Sequence, residues 1–351
     1  MTDRLLLLTT SPRLPAGLLS WPAWEAVRSA PVYAASDSAQ AQALGAAGVE
    51  VTVLDYPDDR ARAHAFRDRS RVDGAAVWLA APDPAAQAGF VRALGDLVAR
   101  EGGAEIEVVY GSWDPPGARL LDVVAVMDRL RSPGGCPWDA EQTHRSLMPY
   151  LLEEAYEAYA ALEERDADAL REELGDVLLQ IAFHARIAEE AAPEEAWSID
   201  DVAGELVDKL VRRHPHVFAD VTVSGAAETE VNWDVIKAAE KPRESVTDGV
   251  PLSQPALSLA AKLQKRAAKA GVPRDLLELV PPERSTLGAR LFALVAEARA
   301  AGEDPEAALR AVARAFRDRV AAVERGARDD GRDPAALDAE EWRARWTAES
   351  D

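Results

Sequence analysis

The stretch LLEEAYEAYAALEERDADALREELGDVLLQIAFHAR, from Leu151 to Arg186, limits what this chain can fold into more than any other. Both halves have helical character, and only a short polar connection separates them. At about 100° per residue, Glu153, Glu154 and Glu157 fall within one arc of roughly 100° on the first helix. On the second, Glu172 and Asp176 project along the line that Leu179 and Phe183 continue one and two turns later. Gln180 is the lone polar residue from Val177 to Phe183, so the pattern predicts a helix buried nearly all round. Its carboxylates then lie along a buried or half-buried edge. Carboxylates converging at low dielectric repel one another and take up protons unless a cation neutralises them. A hard divalent ion such as Mg²⁺, or Mn²⁺, suits an all-oxygen donor set. None of the 5 histidines sits among these acids at ligand spacing, which argues against zinc. The plainer reading, a solvated acidic face partnered by Arg165 and Arg171, fits one acidic helix better than two joined so closely.

The first third of the chain has a different character. RLLLLTTS, PVYAAS, VEVTVLD, GAAVWLAA and IEVVYGS are short strand-like runs separated by Ala-rich polar stretches. That alternation predicts a small α/β unit with a mostly parallel sheet over residues 1–112. GSWDPPG, Gly111 to Gly117, is a turn-rich boundary, and beyond it almost everything reads as helix. The expected helices are Leu120–Arg131, His144–Glu164, Asp168–Ala191, Ile199–Arg213, Glu228–Lys241 and a pair between Arg284 and Arg325. A linker is expected near Lys241–Gln254. The fold class is therefore mainly α, a helical bundle preceded by a small α/β domain.

DKLVRRHPHVFADV, Asp208 to Val221, gathers Lys209, Arg212, Arg213, His214 and His216 in a chain whose formal net charge is −21. Lys209 and Arg213 are i,i+4 neighbours on one helical face. A substrate with several phosphates calls for metal to bridge some oxygens and for Lys or Arg to clamp the others. The same cations also suit a helix C-terminus that merely needs positive charge. In NWDVIKAAEK, Trp233 and Lys237 again stand at i,i+4; the indole either stacks on a nucleobase or fills a core. PGGCPWD places Trp138 and Asp139 in a proline-fixed loop, a lid or a rigid turn.

The acidic excess argues against binding to nucleic-acid polymers or anionic membranes. With Cys136 as its one cysteine the chain can form no internal disulfide, which points to a reducing cytoplasm. Pro12 and Pro15 interrupt the opening leucine run, and no stretch approaches a membrane span. Walker-type, GxGxxG and GxSxG motifs are absent.

EEAYE followed by EELGD fits the E-E-x-x-E … E-x-x-D pattern of the all-α nucleoside triphosphate pyrophosphohydrolases. With LLDVVAVMDRLRSPGGCPWDAEQTHRSLMPY, ELGDVLLQIAFHA and DKLVRRHPHVFADV, the chain resembles MazG over roughly residues 118–272. The resemblance implies a helical bundle, usually a tight dimer, that uses Mg²⁺ to hydrolyse nucleoside triphosphates to monophosphate and pyrophosphate. By that resemblance Glu154, Glu157, Glu173 and Asp176 are metal ligands, and Glu153 is a further ligand or a base that orients water. Lys209, Arg212 and Arg213 hold phosphates, while Trp233 and Lys237 flank the nucleotide. Nucleotide-pool house-cleaning is the implied role. The alternatives are a low-turnover nucleotide-binding regulatory protein, or a phosphohydrolase of phosphoribosyl-ATP or nucleoside diphosphate derivatives.

Two departures from the family pattern matter. Residues 284–325 look like the back half of a second copy in which Ser285, Thr286 and Ala289 replace the acids, so this half-repeat is expected to be structural. Residues 326–351 read as a tail. At the front, residues 1–112 sit where some relatives carry a tetrapyrrole-methylase-like domain. LLLLTTSPRLPAGLLSW lacks that domain's glycine-rich loop, so a degenerate remnant is expected.

Overall fold

The structure is a computed structural model that describes residues 2–81, 85–219, 221, 225–240, 244–273, 275–276 and 286–348. It divides into two compact units, Met1–Leu210 and Val211–Asp351.

The first unit begins with strands β1 (Asp3–Thr9), β2 (Val32–Ala34), β3 (Val51–Val53), β4 (Ala75–Leu79) and β5 (Ala104–Tyr110). They form one sheet in the order β3-β2-β4-β1-β5, every pair parallel. Helices α1 (Trp21–Ser29), α2 (Ala39–Ala46), α3 (Asp59–Asp73) and α4 (Ala88–Glu101) provide the crossovers. The unbroken leucine run of β1 follows from this arrangement. Leu6 and Leu8 join one core with Val27, Leu44 and Val77, and Leu5 and Leu7 join another with Phe66, Trp78 and Phe90. A strand covered on both faces needs apolar residues at every position rather than at alternate ones. Trp78 stacks on Phe90 with ring centroids 4.0 Å apart, filling the second core.

After β1 the chain turns through Ser11 and Arg13. Arg13 pairs with Asp114 and, at 2.5 Å, with Asp122 of helix α5 (Arg119–Arg131). Arg13 thus ties the carboxyl ends of the central strands to the start of the helical region. Next come α6 (Pro137–Glu141), α7 (Met148–Glu164), α8 (Ala167–Ala188) and α9 (Ile199–Arg213), along which the chain leaves the first unit. The loop before α6 turns tightly. Gly134 has φ +79°, and a Cβ on Gly135 would lie 2.2 Å from the Leu130 carbonyl oxygen. Arg131 donates to the carbonyls of Asp139 and Gln142 and pairs with Glu190 at 2.8 Å. Met127, Leu147 and Phe183 form the core that joins α5 to α8.

In the second unit, α10 (Pro215–Phe218) and α11 (Ala226–Glu240) precede a helix that sequence reading missed, α12 (Ala256–Lys269). Its buried Gln264 donates to the Phe292 carbonyl at 2.8 Å, fastening it to the helix Leu287–Ala301. Pro305–Asp329 follows, and within the expected tail lies a further helix, Ala339–Ala348. Thr286 caps the helix Leu287–Ala301 and Ala289 sits in its first turn; Ser285, Arg284 and Lys241 lie outside the described residues. Among the described residues no helix is long and apolar enough to cross a membrane.

Candidate metal and nucleotide site

The site begins with a two-residue corner. Arg165 ends α7 in the left-handed region with φ 58°. Asp166 then caps α8, its Oδ1 accepting from the amides of Asp168 and Ala169 at 3.0 Å each. So short a corner makes α7 and α8 antiparallel neighbours, and residues equidistant from it come level. Glu157 and Glu173 each lie 8 residues from Arg165, and Glu154 and Asp176 each lie 11. The spacing of EEAYE and EELGD is thus the spacing that a hairpin needs to bring two acids from each arm together.

Oxygens of Glu154, Glu157 and Glu173 lie within 4.8 Å of one another. Among the described residues this is the one group of three or more acidic, histidine or cysteine side chains placed to share a metal ion. Glu154 and Glu173 are half-buried and Glu157 is exposed. Desolvation raises the Glu154 carboxyl above its ordinary range, and the charges of Asp176, Glu157 and Glu153 push it further. Glu173 is raised by desolvation and then by Glu157, Asp176 and Glu172. Asp176 and Glu153 therefore belong to the same electrostatic field, although neither is in the three-residue oxygen cluster. Such a cluster favours either bound protons or a bound cation. An all-carboxylate donor set fits a hard divalent ion.

The expectation that α8 is buried nearly all round needs correction. Gln180, Ala182, Phe183, Ala185 and Ala188 are buried, but Leu174, Leu179 and Ile181 are exposed. Periodicity counts apolar side chains around an axis; it does not supply the surface that covers them.

Lys209 is exposed on α9. The other residues expected to bind the substrate lie within the second unit. Arg213 Nη2 pairs with Glu240 Oε2 at 2.6 Å, and Arg212 Nε with Glu240 Oε1 at 2.8 Å. The Arg213 guanidinium lies 5.2 Å from the Trp233 ring centroid and Lys237 Nζ lies 4.4 Å from it. Trp233 is thus a half-buried platform for cations. Sequence reading missed Glu240, whose local signal is its place one turn beyond Lys237 in NWDVIKAAE. It also missed the pair His144 and His184, whose Nδ1 atoms are 2.8 Å apart. Burial, then the neighbouring His144, lowers the pKa of His184.

The chain is thus mainly α behind a small α/β domain, and its antiparallel helix hairpin brings acids together from both arms. Residues 142–218 match the MazG nucleotide pyrophosphohydrolase domain. An uncharacterized 26.1 kDa protein of Streptomyces cacaoi is 52% identical over 66% of this chain and 96% of its own length. A nucleoside triphosphate pyrophosphohydrolase of Mycolicibacterium smegmatis is 46% identical over 66% of this chain and 70% of its own length. The nucleoside triphosphate pyrophosphohydrolase/pyrophosphatase MazG of Thermotoga maritima is 40% identical over 61% and 89%. The chain belongs to the MazG nucleotide pyrophosphohydrolase family.

Proposed function

We propose that this protein hydrolyses nucleoside triphosphates, ribo or deoxyribo, to nucleoside monophosphate and pyrophosphate, in a cytoplasmic role that clears surplus or damaged nucleotides. The observation that carries this reading is the convergence of Glu154, Glu157 and Glu173 within 4.8 Å. The names of the relatives from Mycolicibacterium smegmatis and Thermotoga maritima support it. Glu154, Glu157, Glu173 and Asp176 hold Mg²⁺, or Mn²⁺ in its place, and Glu153 is a further ligand or orients water. Bound there, the ion supplies positive charge for the phosphate oxygens of the substrate and of the leaving pyrophosphate. The donor set fits such an ion, because it is all oxygen and because burial and the neighbouring carboxylates raise the Glu154 and Glu173 carboxyls above their ordinary range. Lys209, Arg212 and Arg213 hold the phosphate chain, with Lys237 and Trp233 beside the nucleotide. The reaction consumes one water and splits one anhydride bond.

A homodimer completes the site region. Leu151 and Leu152 on α7 and Leu174 and Leu179 on α8 are between 38% and 57% exposed, an apolar surface that a second copy would cover.

Product analysis tests the reaction. Incubation with a panel of nucleoside triphosphates, with Mg²⁺ or with a chelator, is followed by anion-exchange separation. Monophosphate and pyrophosphate in equal amounts, formed with metal alone, is the expected result. Diphosphate and orthophosphate would place the cleavage elsewhere and overturn the reading.

A further inference from the structure

Glu240, the last residue of α11, receives two guanidinium groups at once. Arg213 donates from Nη2 to Oε2 at 2.6 Å and from Nε to Oε1 at 3.1 Å, a fork-on-carboxylate arrangement. Arg212 adds its Nε to Oε1 at 2.8 Å. The Arg213 and Glu240 side chains are 16% and 14% exposed, whereas Arg212 is 55% exposed. Hydrogen bonds from Arg213 and then Arg212 hold the Glu240 carboxyl down at about 2, so it remains an anion throughout the working pH range. On its other side the Arg213 group meets the Trp233 indole, over which Lys237 also lies. One carboxylate and one indole thus fix the directions of the cation cluster.

We propose that Glu240 is a positioning residue for nucleotide binding: it locks Arg213 against Trp233 and aims Arg212 and Arg213 at the phosphate chain. This rests on the reading above, in which these cations hold phosphates. An arginine left free must surrender side-chain rotamer freedom when it meets a phosphate; one already held does not. With Nε and Nη2 engaged by Glu240, Arg213 meets phosphate through Nη1. Arg212, held by Nε alone and more exposed, offers both of its Nη groups. The phosphate chain is common to every nucleoside triphosphate. Loss of the arrangement therefore weakens all nucleoside triphosphates by the same factor.

The test is steady-state kinetics of the full chain with Mg²⁺ and one purine and one pyrimidine triphosphate, comparing wild type with Glu240→Gln and Glu240→Asp. Glu240→Gln is expected to raise KM about tenfold for both substrates, the equivalent of ordering one long side chain anew, with kcat within about twofold. Glu240→Asp keeps the charge on a shorter arm and is expected to recover part of that loss. A purely structural role would instead lower kcat through a smaller active fraction, with KM unmoved, and would overturn the proposal. So would a KM change confined to one base. Should Glu240→Gln fail to fold, a wild-type KM in Glu240→Asp overturns it equally. Should wild type bind these nucleotides without forming monophosphate and pyrophosphate, the functional reading fails on its own, and the same comparison is made on Kd.

Discussion

Glu154→Gln is expected to lower turnover by more than about 100-fold, beyond the ~10–100-fold typical of disturbing only the outer partners of a catalytic metal. The substitution keeps the size of the side chain and removes a donor from a cluster whose oxygens lie within 4.8 Å. The fold should gain from the change when no metal is present. Desolvation and the charges of Asp176, Glu157 and Glu153 place the folded-state pKa of Glu154 above its unfolded value. For such a group the folded protein binds the proton more tightly, so its stabilising contribution is present at low pH and is lost as pH rises through the folded value. At neutral pH the ionised carboxylate is a cost that glutamine removes. In chelator, the Tm of Glu154→Gln should exceed that of wild type at pH 7, and the difference should shrink toward pH 4. Near-full turnover, or a Tm advantage that grows as pH falls, would remove Glu154 from the site.

Phe183→Ala is expected to destabilise the first unit by about 3–5 kcal/mol, the usual cost of emptying a buried aromatic position. Phe183 is 3% exposed and packs with Met127, Leu147 and Ile187, where α5 meets α8. The Arg131 guanidinium carbon lies 5.5 Å from its ring centroid, and the Arg131 side chain is 3% exposed. Deleting the ring therefore leaves a cavity beside a buried cation that has lost an aromatic face. Scanning calorimetry should show Tm lowered by about 10 °C or more for a unit of this size. Because α8 also carries Glu173 and Asp176, turnover at temperatures near the lowered Tm should fall with it. A shift below about 2 °C would mean that this contact does not hold α8 in place.

The parts of the molecule legible in the sequence are those set by local pattern. The inner strands β1, β2 and β4 read correctly because a strand covered on both faces leaves a continuous apolar run, as in Leu5 to Leu8. The helix pair α7 and α8 was legible because each has a strong local pattern and only Arg165 and Asp166 separate them. What escaped depends on partners remote in the chain. Glu240 looks like any acid in a helix until Arg212 and Arg213, 28 and 27 residues earlier, fold onto it. Nor does the pattern of α8 reveal that Leu174, Leu179 and Ile181 are left uncovered within one chain. The helix Ala256–Lys269 was hidden by the proline-rich segment ahead of it, which dominates a local reading as linker.

The central claim is that Glu154, Glu157, Glu173 and Asp176 hold a divalent cation. It is tested most directly by titrating Mn²⁺ into wild type and Glu154→Gln and following free Mn²⁺ by electron paramagnetic resonance. Wild type should bind saturably, Mg²⁺ should displace the ion, and Glu154→Gln should bind at least about tenfold more weakly. Identical binding curves for the two proteins would contradict the claim.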